Sequence, residues 1–138
     1  MLLRKANAVW EGDLKAGKGV MRFPGFEGPY TFLSRFDEAT GTNPETLLGA
    51  AHAGCFSMAL SSSLVKAGFK PIKIETSATV TLAMDNGPKI SEIHLDCSAQ
   101  VEGIDPERFQ QIAEETKFGC PVSVALKAVD ISLEARLI

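Results

Sequence analysis

Alternating apolar and polar residues mark three strands in the second half of the chain. Apolar side chains occupy every second position along most of 72–82, and residues 129–137 repeat this pattern, which is typical of a strand with one buried face. The segment 89–101 alternates in the same way, except that Ile90 falls out of phase. One extra residue would explain the slip, so we predict a β-bulge near Ser91–Glu92.

A long apolar helix is predicted in the middle of the chain. Asn43 is a suitable N-cap, Pro44 suits the first helical position, and Gly68 marks the end. Residues 47–60 are apolar almost all round, which predicts burial on several sides rather than on one sheet face. Small side chains are concentrated at positions 49–54, where we expect close helix packing.

The other segments complete an α+β pattern. Strands are predicted at 5–11, 19–23 and 29–36, with a loop at 37–42. A second helix and a short third helix precede the last strand. The order β-β-β-α-β-β-α-α-β predicts an α+β fold with antiparallel sheets, and the length suits a single domain over residues 1–138.

Composition and charge argue against several classes of function. The net charge is −3 and the isoelectric point is near 5.4, which argues against nucleic acid or an anionic membrane as partner. No apolar run approaches the roughly 18 residues of a membrane span. The first residues lack a signal-peptide core, so we expect a cytoplasmic protein. Three cysteines without a C-x-x-C motif do not predict a disulfide framework.

The three cysteines occupy different settings. Cys97 lies on the apolar phase of its strand, which predicts a buried, inert thiol. Cys120 precedes Pro121, so it would be the N-cap of a short helix, where a thiolate is favoured. Cys55 is in the middle of the long helix and needs a nearby cation to become nucleophilic. His52 and Cys55 could share a metal ion, but no third ligand is evident, so we expect no metal site here.

Three segments carry a resemblance to a known family. They are WEGDLKAGKG at 10–19, GTNPETLLGAAHAGCFSMALS at 41–61 and FGCPVS at 118–123. Together they resemble the OsmC/Ohr family, whose members reduce organic hydroperoxides with a cysteine pair, and the first segment resembles the OsmC branch more than the Ohr branch. The resemblance covers nearly the whole chain. It implies the OsmC-like fold, with sheets around a long buried central helix in an intertwined homodimer.

The resemblance also implies four site residues. Cys55 matches the peroxidatic cysteine, Cys120 the resolving cysteine, Arg35 the arginine that stabilises the thiolate, and Glu45 the glutamate that orients this arginine. A Cys55 thiolate would attack the peroxide and become a sulfenic acid, and Cys120 would condense with it to a disulfide. A dithiol, of the lipoyl type by analogy with the family, would reduce that disulfide. The expected protein is therefore an antioxidant, stress-response peroxidase that needs no metal or other cofactor.

An apolar wall beside the reactive thiol would select the substrate. Phe56 and Met58 follow Cys55 closely along the helix. Together with nearby aromatic side chains they would favour organic hydroperoxides over hydrogen peroxide.

The spacing of Glu45 and Cys55 predicts a composite site. Ten residues along a helix span roughly 15 Å, which a glutamate side chain cannot cross. If two copies of the helix cross antiparallel about a two-fold axis, residue 45 faces residue 55 when the crossing falls at Ala50. Gly49 and Ala51 would let the backbones approach there. We therefore expect a homodimer in which each site uses Glu45 from the chain opposite its Cys55.

Two other functions remain open from the sequence. The cysteine pair could serve a redox-sensing or thiol-buffering protein without fast turnover. Alternatively, the chain could bind a small apolar ligand or a metal, with its cysteines only in the core.

Overall fold

The structure, a computed structural model, describes residues 1–37 and 41–138. The chain divides into two compact units, Met1–Leu47 and Leu48–Ile138, which are described in turn. Helices and strands occur in both, and the predicted α+β class is confirmed. The expectation of a single domain stays a prediction.

The first unit contains a three-stranded antiparallel sheet and a short helix. Strands β1 (Asn7–Glu11), β2 (Lys18–Phe23) and β3 (Phe26–Tyr30) pair in chain order. Helix α1 (Phe32–Phe36) follows at once. Of the predicted loop at 37–42, residues 38–40 lie outside the described residues.

The prediction of a strand over 29–36 is wrong beyond Tyr30. The Thr31 hydroxyl accepts a hydrogen bond from the Ser34 N–H at 3.1 Å, and the Ser34 hydroxyl accepts one from the Thr31 N–H at 2.9 Å. This reciprocal capping box satisfies two of the backbone donors that a helix start leaves unpaired. The aromatic residues that favoured a strand therefore begin a helix.

The long helix has the predicted ends. Helix α2 covers Pro44–Lys66, and the Asn43 side chain caps it by accepting a hydrogen bond from the Thr46 N–H at 2.7 Å. After the last turn Gly68 adopts a φ of 93°. The N–H groups of Gly68 and Phe69 then donate back to carbonyls of that turn, each at 3.0 Å. These two bonds form a Schellman motif, for which glycine is preferred.

The second unit is built on a mixed sheet. Strands β4 (Lys70–Ala83) and β5 (Lys89–Glu102) are antiparallel, whereas β6 (Asp130–Leu137) runs parallel to β5. The expectation of purely antiparallel sheets is therefore wrong for this pair. Helices α3 (Pro106–Gly119) and α4 (Pro121–Ala125) lie between β5 and β6 in the chain. They form a crossover connection, which allows β6 to run in the same direction as β5.

The predicted β-bulge is confirmed. Thr81 pairs with Glu92, and the next residue, Leu82, pairs with Ile90. Ser91 therefore has no opposite residue in the register, and the apolar phase of β5 changes at this point.

The core of the second unit lies between one face of its sheet and helices α2 and α3. Cys97 is fully buried, as predicted for an inert thiol. The fully or almost fully buried apolar residues of these three elements are Phe56, Leu60, Leu64, Ile93, Leu95, Cys97, Ala99, Phe109, Ile112 and Ala113.

Helix α2 is buried on one face only within the single chain. Ala51, Gly54, Met58, Ser62 and Val65 recur at three- and four-residue spacing and are all exposed. Met58 is 77% exposed and Val65 59%. The expected burial on several sides is therefore not supplied by this chain alone. Gly49 lies on the buried face, where an added Cβ would come within 3.2 Å of the Val80 side chain.

The length and composition of α2 contradict the expectation that no segment could span a membrane. Helix α2 is long and apolar enough to cross a membrane by length and composition, with a mean hydropathy of 1.3 over its best window. Polar residues interrupt its apolar run, which is why no span was expected. A core helix meets the same criterion, and the buried face of α2 is a core face.

Candidate active site

Two of the predicted site residues meet in the second unit. The Sγ atoms of Cys55 and Cys120 are 3.3 Å apart, and both thiols are free. Cys55 lies in the middle of α2, and Cys120 is the N-cap of α4, as predicted. A disulfide requires about 2.05 Å between the sulfur atoms. A small movement therefore suffices to join them.

Hydrogen bonds make Cys120 the more acidic thiol of the pair. Burial alone would raise the pKa of Cys120. The Ser123 backbone N–H, the Ser123 hydroxyl, the Cys55 thiol and the Val122 N–H together outweigh burial and lower that pKa. The Ser123 Oγ is 3.6 Å from the Cys120 Sγ. Cys120 is only 1% exposed, so its thiolate is held by protein donors rather than by water.

The pKa of Cys55, in contrast, is raised. Burial raises the pKa of Cys55, the Val122 N–H opposes that effect, and Cys120 adds to it. None of these groups is a cation. The expected Cys55 thiolate therefore requires a cation that these neighbours do not provide.

A buried histidine contacts the same region. His52 is fully buried, and its Nε2 is 2.8 Å from the Ser123 Oγ. Its Nδ1 has no hydrogen-bond partner among the described residues. Burial lowers the pKa of His52, so the ring is neutral at neutral pH.

The other two predicted residues meet in the first unit. Arg35 donates two hydrogen bonds to the Glu45 Oε1, from Nε at 3.1 Å and from a terminal nitrogen at 2.8 Å. The Glu45 side chain is 9% exposed and that of Arg35 37%. The Glu45 Oε2 is buried without a partner among the described residues. The guanidinium therefore remains partly open while the carboxylate holds one edge of it.

An aromatic pocket adjoins Arg35. Its volume of about 240 Å³ is slightly below the roughly 300–1,000 Å³ of ligand pockets, and it has room for a short apolar group. The Arg35 guanidinium carbon lies 5.3 Å from the centroid of the Phe36 ring. The Phe32 and Phe36 rings are 5.0 Å apart. The lining residues are Trp10, Leu14, Tyr30, Thr31, Phe32, Arg35 and Phe36.

The lining of this pocket differs from the apolar wall expected from the sequence. Phe56 is fully buried in the core of the second unit, so the expectation that it lines a substrate site is wrong. Sequence reasoning missed Phe32 and Phe36 because 29–36 was interpreted as a strand. Their four-residue spacing, which places side chains on one face of a helix, was the signal that could have identified them.

The described residues contain one cluster of three side chains with metal-ligand spacing. The ligand atoms of His94, Asp96 and Glu134 lie within 4.8 Å of one another. Asp96 is already paired with Arg136 at 2.7 Å, and the His94 Nδ1 is 2.7 Å from the Ser132 Oγ. These contacts account for the cluster without an ion.

Comparison with known proteins places the chain in a family. Residues 37–134 match the family of OsmC-like proteins. The chain is 48% identical to Peroxiredoxin OsmC of Escherichia coli (strain K12), over 97% of this chain and 96% of that protein. It is 32% identical to the organic hydroperoxide resistance protein OhrB of Bacillus subtilis (strain 168), over 70% of this chain and 71% of that protein.

Solved structures agree with this placement at the level of the fold. An OsmC-like protein from Mycoplasma pneumoniae superposes with a TM-score of 0.76 at 14% identity, over 99% of this chain and 98% of that chain. The segment that matches the OsmC-like family, residues 37–134, includes Glu45, Cys55 and Cys120. The chain belongs to the OsmC family.

Proposed function

We propose that this protein is a thiol-dependent peroxidase that reduces organic hydroperoxides to alcohols. Family membership supports the reaction type. The observation that carries the proposal for this chain is the 3.3 Å approach of the Cys55 and Cys120 sulfur atoms while both are reduced. A pair held this close can form a disulfide without rearrangement of the fold.

The reaction proceeds in three steps. The Cys55 thiolate attacks the outer oxygen of the peroxide, the O–O bond breaks, and the alkoxide takes up a proton to leave as an alcohol. Cys120 then attacks the sulfur of the Cys55 sulfenic acid, forming a disulfide and releasing water. A dithiol reductant, of the lipoyl type, attacks the disulfide and returns both thiols to the reduced state.

Access assigns the peroxidatic role to Cys55, although Cys120 is the more acidic thiol in the single chain. Cys120 is 1% exposed, whereas Cys55 is partly exposed. A peroxide must reach the sulfur that it oxidises. Arg35 supplies the missing cation, because an opposite charge within a few ångströms lowers a thiol pKa and stabilises charge that develops on the peroxide oxygens.

The cation comes from a second copy of the chain. Glu45 holds Arg35, but it precedes Cys55 by ten residues on one continuous helix, or roughly 15 Å. An antiparallel crossing of two α2 helices near Ala50 brings residue 45 of each to residue 55 of the other. The resulting homodimer contains two composite sites.

The exposed face of α2 supports this dimer. Ala51, Gly54 and Met58 are exposed in the single chain, and a Cβ added at Gly54 would meet nothing within 4 Å. A second helix can therefore approach closely on this side. Gly49, which the sequence assigned to the helix crossing, instead packs against Val80 of its own chain. The contact between copies thus begins at Ala50 and continues through Gly54.

The aromatic pocket beside Arg35 determines the preferred substrate. Its lining is mostly apolar and aromatic, and it includes the guanidinium that would face the peroxide. An alkyl or aryl group in this pocket removes apolar surface from water. Hydrogen peroxide has no such group, so organic hydroperoxides are the better substrates. The enzyme acts in the cytoplasm.

Steady-state kinetics test the proposal. Purified protein is given cumene hydroperoxide, tert-butyl hydroperoxide or hydrogen peroxide, with dihydrolipoamide or a monothiol as reductant. We expect multiple turnovers, with kcat/KM higher for the two organic substrates and for the dithiol. A single stoichiometric oxidation without turnover, under every combination, would instead identify a redox sensor or thiol buffer.

A further inference from the structure

A line of three buried side chains connects helix α2 with the N-terminus of α4. The His52 Nε2 is 2.8 Å from the Ser123 Oγ, and that oxygen is 3.6 Å from the Cys120 Sγ. His52 is 0% exposed, Ser123 4% and Cys120 1%. The disulfide chemistry described above uses only the last of the three, and it assigns no role to the histidine.

We propose that His52, acting through the Ser123 hydroxyl, is a positioning residue that holds Cys120 as the thiolate for disulfide formation. The proposal rests on the proposed function only for the step that it would accelerate. The hydrogen-bonded line itself is present in the reduced chain, and its effect on the Cys120 thiol can be measured without any peroxide.

The hydrogen-bond partners fix the direction of donation along the line. Burial keeps His52 neutral, so its ring carries one N–H. A proton on Nδ1 would be buried without an acceptor, because Nδ1 has no partner among the described residues. The proton is therefore assigned to Nε2, which donates to the Ser123 oxygen. The Ser123 hydroxyl is then oriented to donate to the Cys120 sulfur.

A donor directed at sulfur favours the thiolate over the thiol. Hydrogen bonds to the charged form of a group lower the pKa of an acid, and Ser123 is the residue that lowers the pKa of Cys120 most, through its N–H and its hydroxyl. Among the described residues, the titratable side chains that contact Ser123 and Cys120 are His52 and Cys55, both on α2. Lys117 and Lys127 line a cavity together with Ser123, and Lys117 is paired with Glu114. His52 is neutral.

The same donor assists two successive steps. In the first, the Cys120 thiolate attacks the Cys55 sulfenic acid, the S–S bond forms and the S–O bond breaks. The departing hydroxide takes up a proton from solvent, which replaces the one that Cys120 released. In the second, the reductant thiolate attacks the Cys55 sulfur and Cys120 leaves as a thiolate. A sulfur already stabilised by Ser123 is the better leaving group.

The size of the kinetic effect follows from thiol reactivity. Lowering a thiol pKa by one unit raises the thiolate fraction about tenfold when the pKa lies above the ambient pH. The intrinsic nucleophilicity falls about threefold at the same time. The net gain in the rate of disulfide formation is therefore about threefold per unit. The first oxidation of Cys55 gains nothing, since Ser123 does not contact the peroxide.

The experiment first measures the pKa of Cys120 directly. In a Cys55→Ser background, the ultraviolet absorbance of the thiolate is followed against pH, and a Cys55→Ser/Cys120→Ser variant provides the baseline for buried Cys97. We expect His52→Leu and Ser123→Ala to raise this pKa by similar amounts. His52→Gln, whose amide nitrogen can take the place of Nε2, and Ser123→Thr, which keeps the hydroxyl, should restore it.

The kinetic arm separates positioning from general destabilisation. With Cys55 present, one equivalent of peroxide is added, and the sulfenic acid and the disulfide are quantified by quenching and mass spectrometry. Ser123→Ala and His52→Leu should slow disulfide formation about threefold or more at neutral pH. They should not slow sulfenic acid formation, because Cys120 raises the pKa of Cys55 and a weaker Cys120 thiolate relieves that effect. His52→Gln should again restore fast disulfide formation.

Two results would overturn the proposal. One is an unchanged pKa of Cys120 in Ser123→Ala, a substitution small enough to be tolerated if His52→Leu does not fold. The other is an equal slowing of both steps in Ser123→Ala. Because the absorbance titration needs no turnover, its outcome stands even if the peroxidase function fails.

Discussion

The four candidate site residues are divided between the two units of the chain. The first holds a cation with its carboxylate, Arg35 and Glu45, and lines a pocket beside them with aromatic rings. The second holds two thiols 3.3 Å apart, the more accessible of which has a raised pKa. The fold of one chain brings the two sulfur atoms together. Activation of the Cys55 thiol needs a cation, and we propose that the Arg35–Glu45 pair of a second chain provides it.

The largest expected effect comes from removing one thiol. Cys55→Ser should abolish turnover of organic hydroperoxides, because Cys120 is 1% exposed and a substrate cannot reach its sulfur. Steady-state assays with dihydrolipoamide measure this. Turnover that persists in Cys55→Ser and disappears in Cys120→Ser would reverse the assignment of the two roles.

The matched control is the third cysteine. Cys97 is fully buried in the core, so Cys97→Ser should keep most of the activity. It places a hydroxyl where a thiol packs, and it should lower the free energy of unfolding by about 1–3 kcal/mol if that hydroxyl stays unpaired. Urea denaturation measures the loss of stability.

Removal of the resolving thiol should stop the cycle after one event. In Cys120→Ser, the first equivalent of peroxide still oxidises Cys55, because the sulfur atom that reacts is untouched. The sulfenic acid should then persist long enough to be trapped with dimedone, and turnover with a dithiol should stall. A variant that forms no trappable adduct and turns over normally would show that the disulfide is not on the reaction path.

A change in the first unit should affect the thiol in the second. Arg35→Met removes the cation, and the loss of a nearby opposite charge raises an acid's pKa by about 1–3 units. At about threefold per unit, the rate of Cys55 oxidation at neutral pH should therefore fall about three- to thirtyfold, with the pH profile displaced upward. Arg35→Lys should recover part of the rate, since an ammonium group cannot reproduce the planar fork of the guanidinium. A pH profile identical to that of the parent protein would exclude Arg35 as the thiolate stabiliser.

The smallest effect concerns the stability of the second unit in acid. Burial lowers the pKa of His52 below its ordinary value of 6.5. As the pH falls below 6.5, the unfolded chain takes up a proton before the folded one does. The stability linked to this residue is therefore complete above about pH 6.5 and is lost as the pH falls towards the lower, folded-state pKa. The free energy of unfolding of His52→Gln should depend less on pH in this window. An equal dependence in both proteins would show that His52 does not contribute to it.

Much of the fold could be predicted from local patterns. The phase slip at Ile90 located the bulge, and the residues around Asn43 and Gly68 located both ends of α2, because each signal depends on a few neighbouring residues. The helix after Thr31 was missed, since its capping box uses Ser34 where a glutamate or glutamine is usual. The parallel pairing of β6 depends on a crossover, which alternation within one strand does not reveal.

The candidate site was predictable to a different extent. The proximity of Cys55 and Cys120 followed from a family resemblance, because residues 65 positions apart give no local signal of contact. The link between His52 and Ser123 was not foreseen for the same reason. Gly49 was assigned to a helix crossing because a glycine on an apolar helix does not reveal which side is crowded. The structure shows the crowding by Val80.

The most direct test of the composite site mixes two inactive variants. Glu45→Ala and Cys55→Ser proteins are combined under conditions that exchange subunits, and heterodimer formation is verified by native mass spectrometry with one variant isotopically labelled. In the heterodimer one site carries both substitutions, and the other site carries neither. If the sites are composite, activity should recover to about half that of a parent dimer. Verified heterodimers without any recovery would contradict this prediction, because Glu45 would then act within its own chain or not at all.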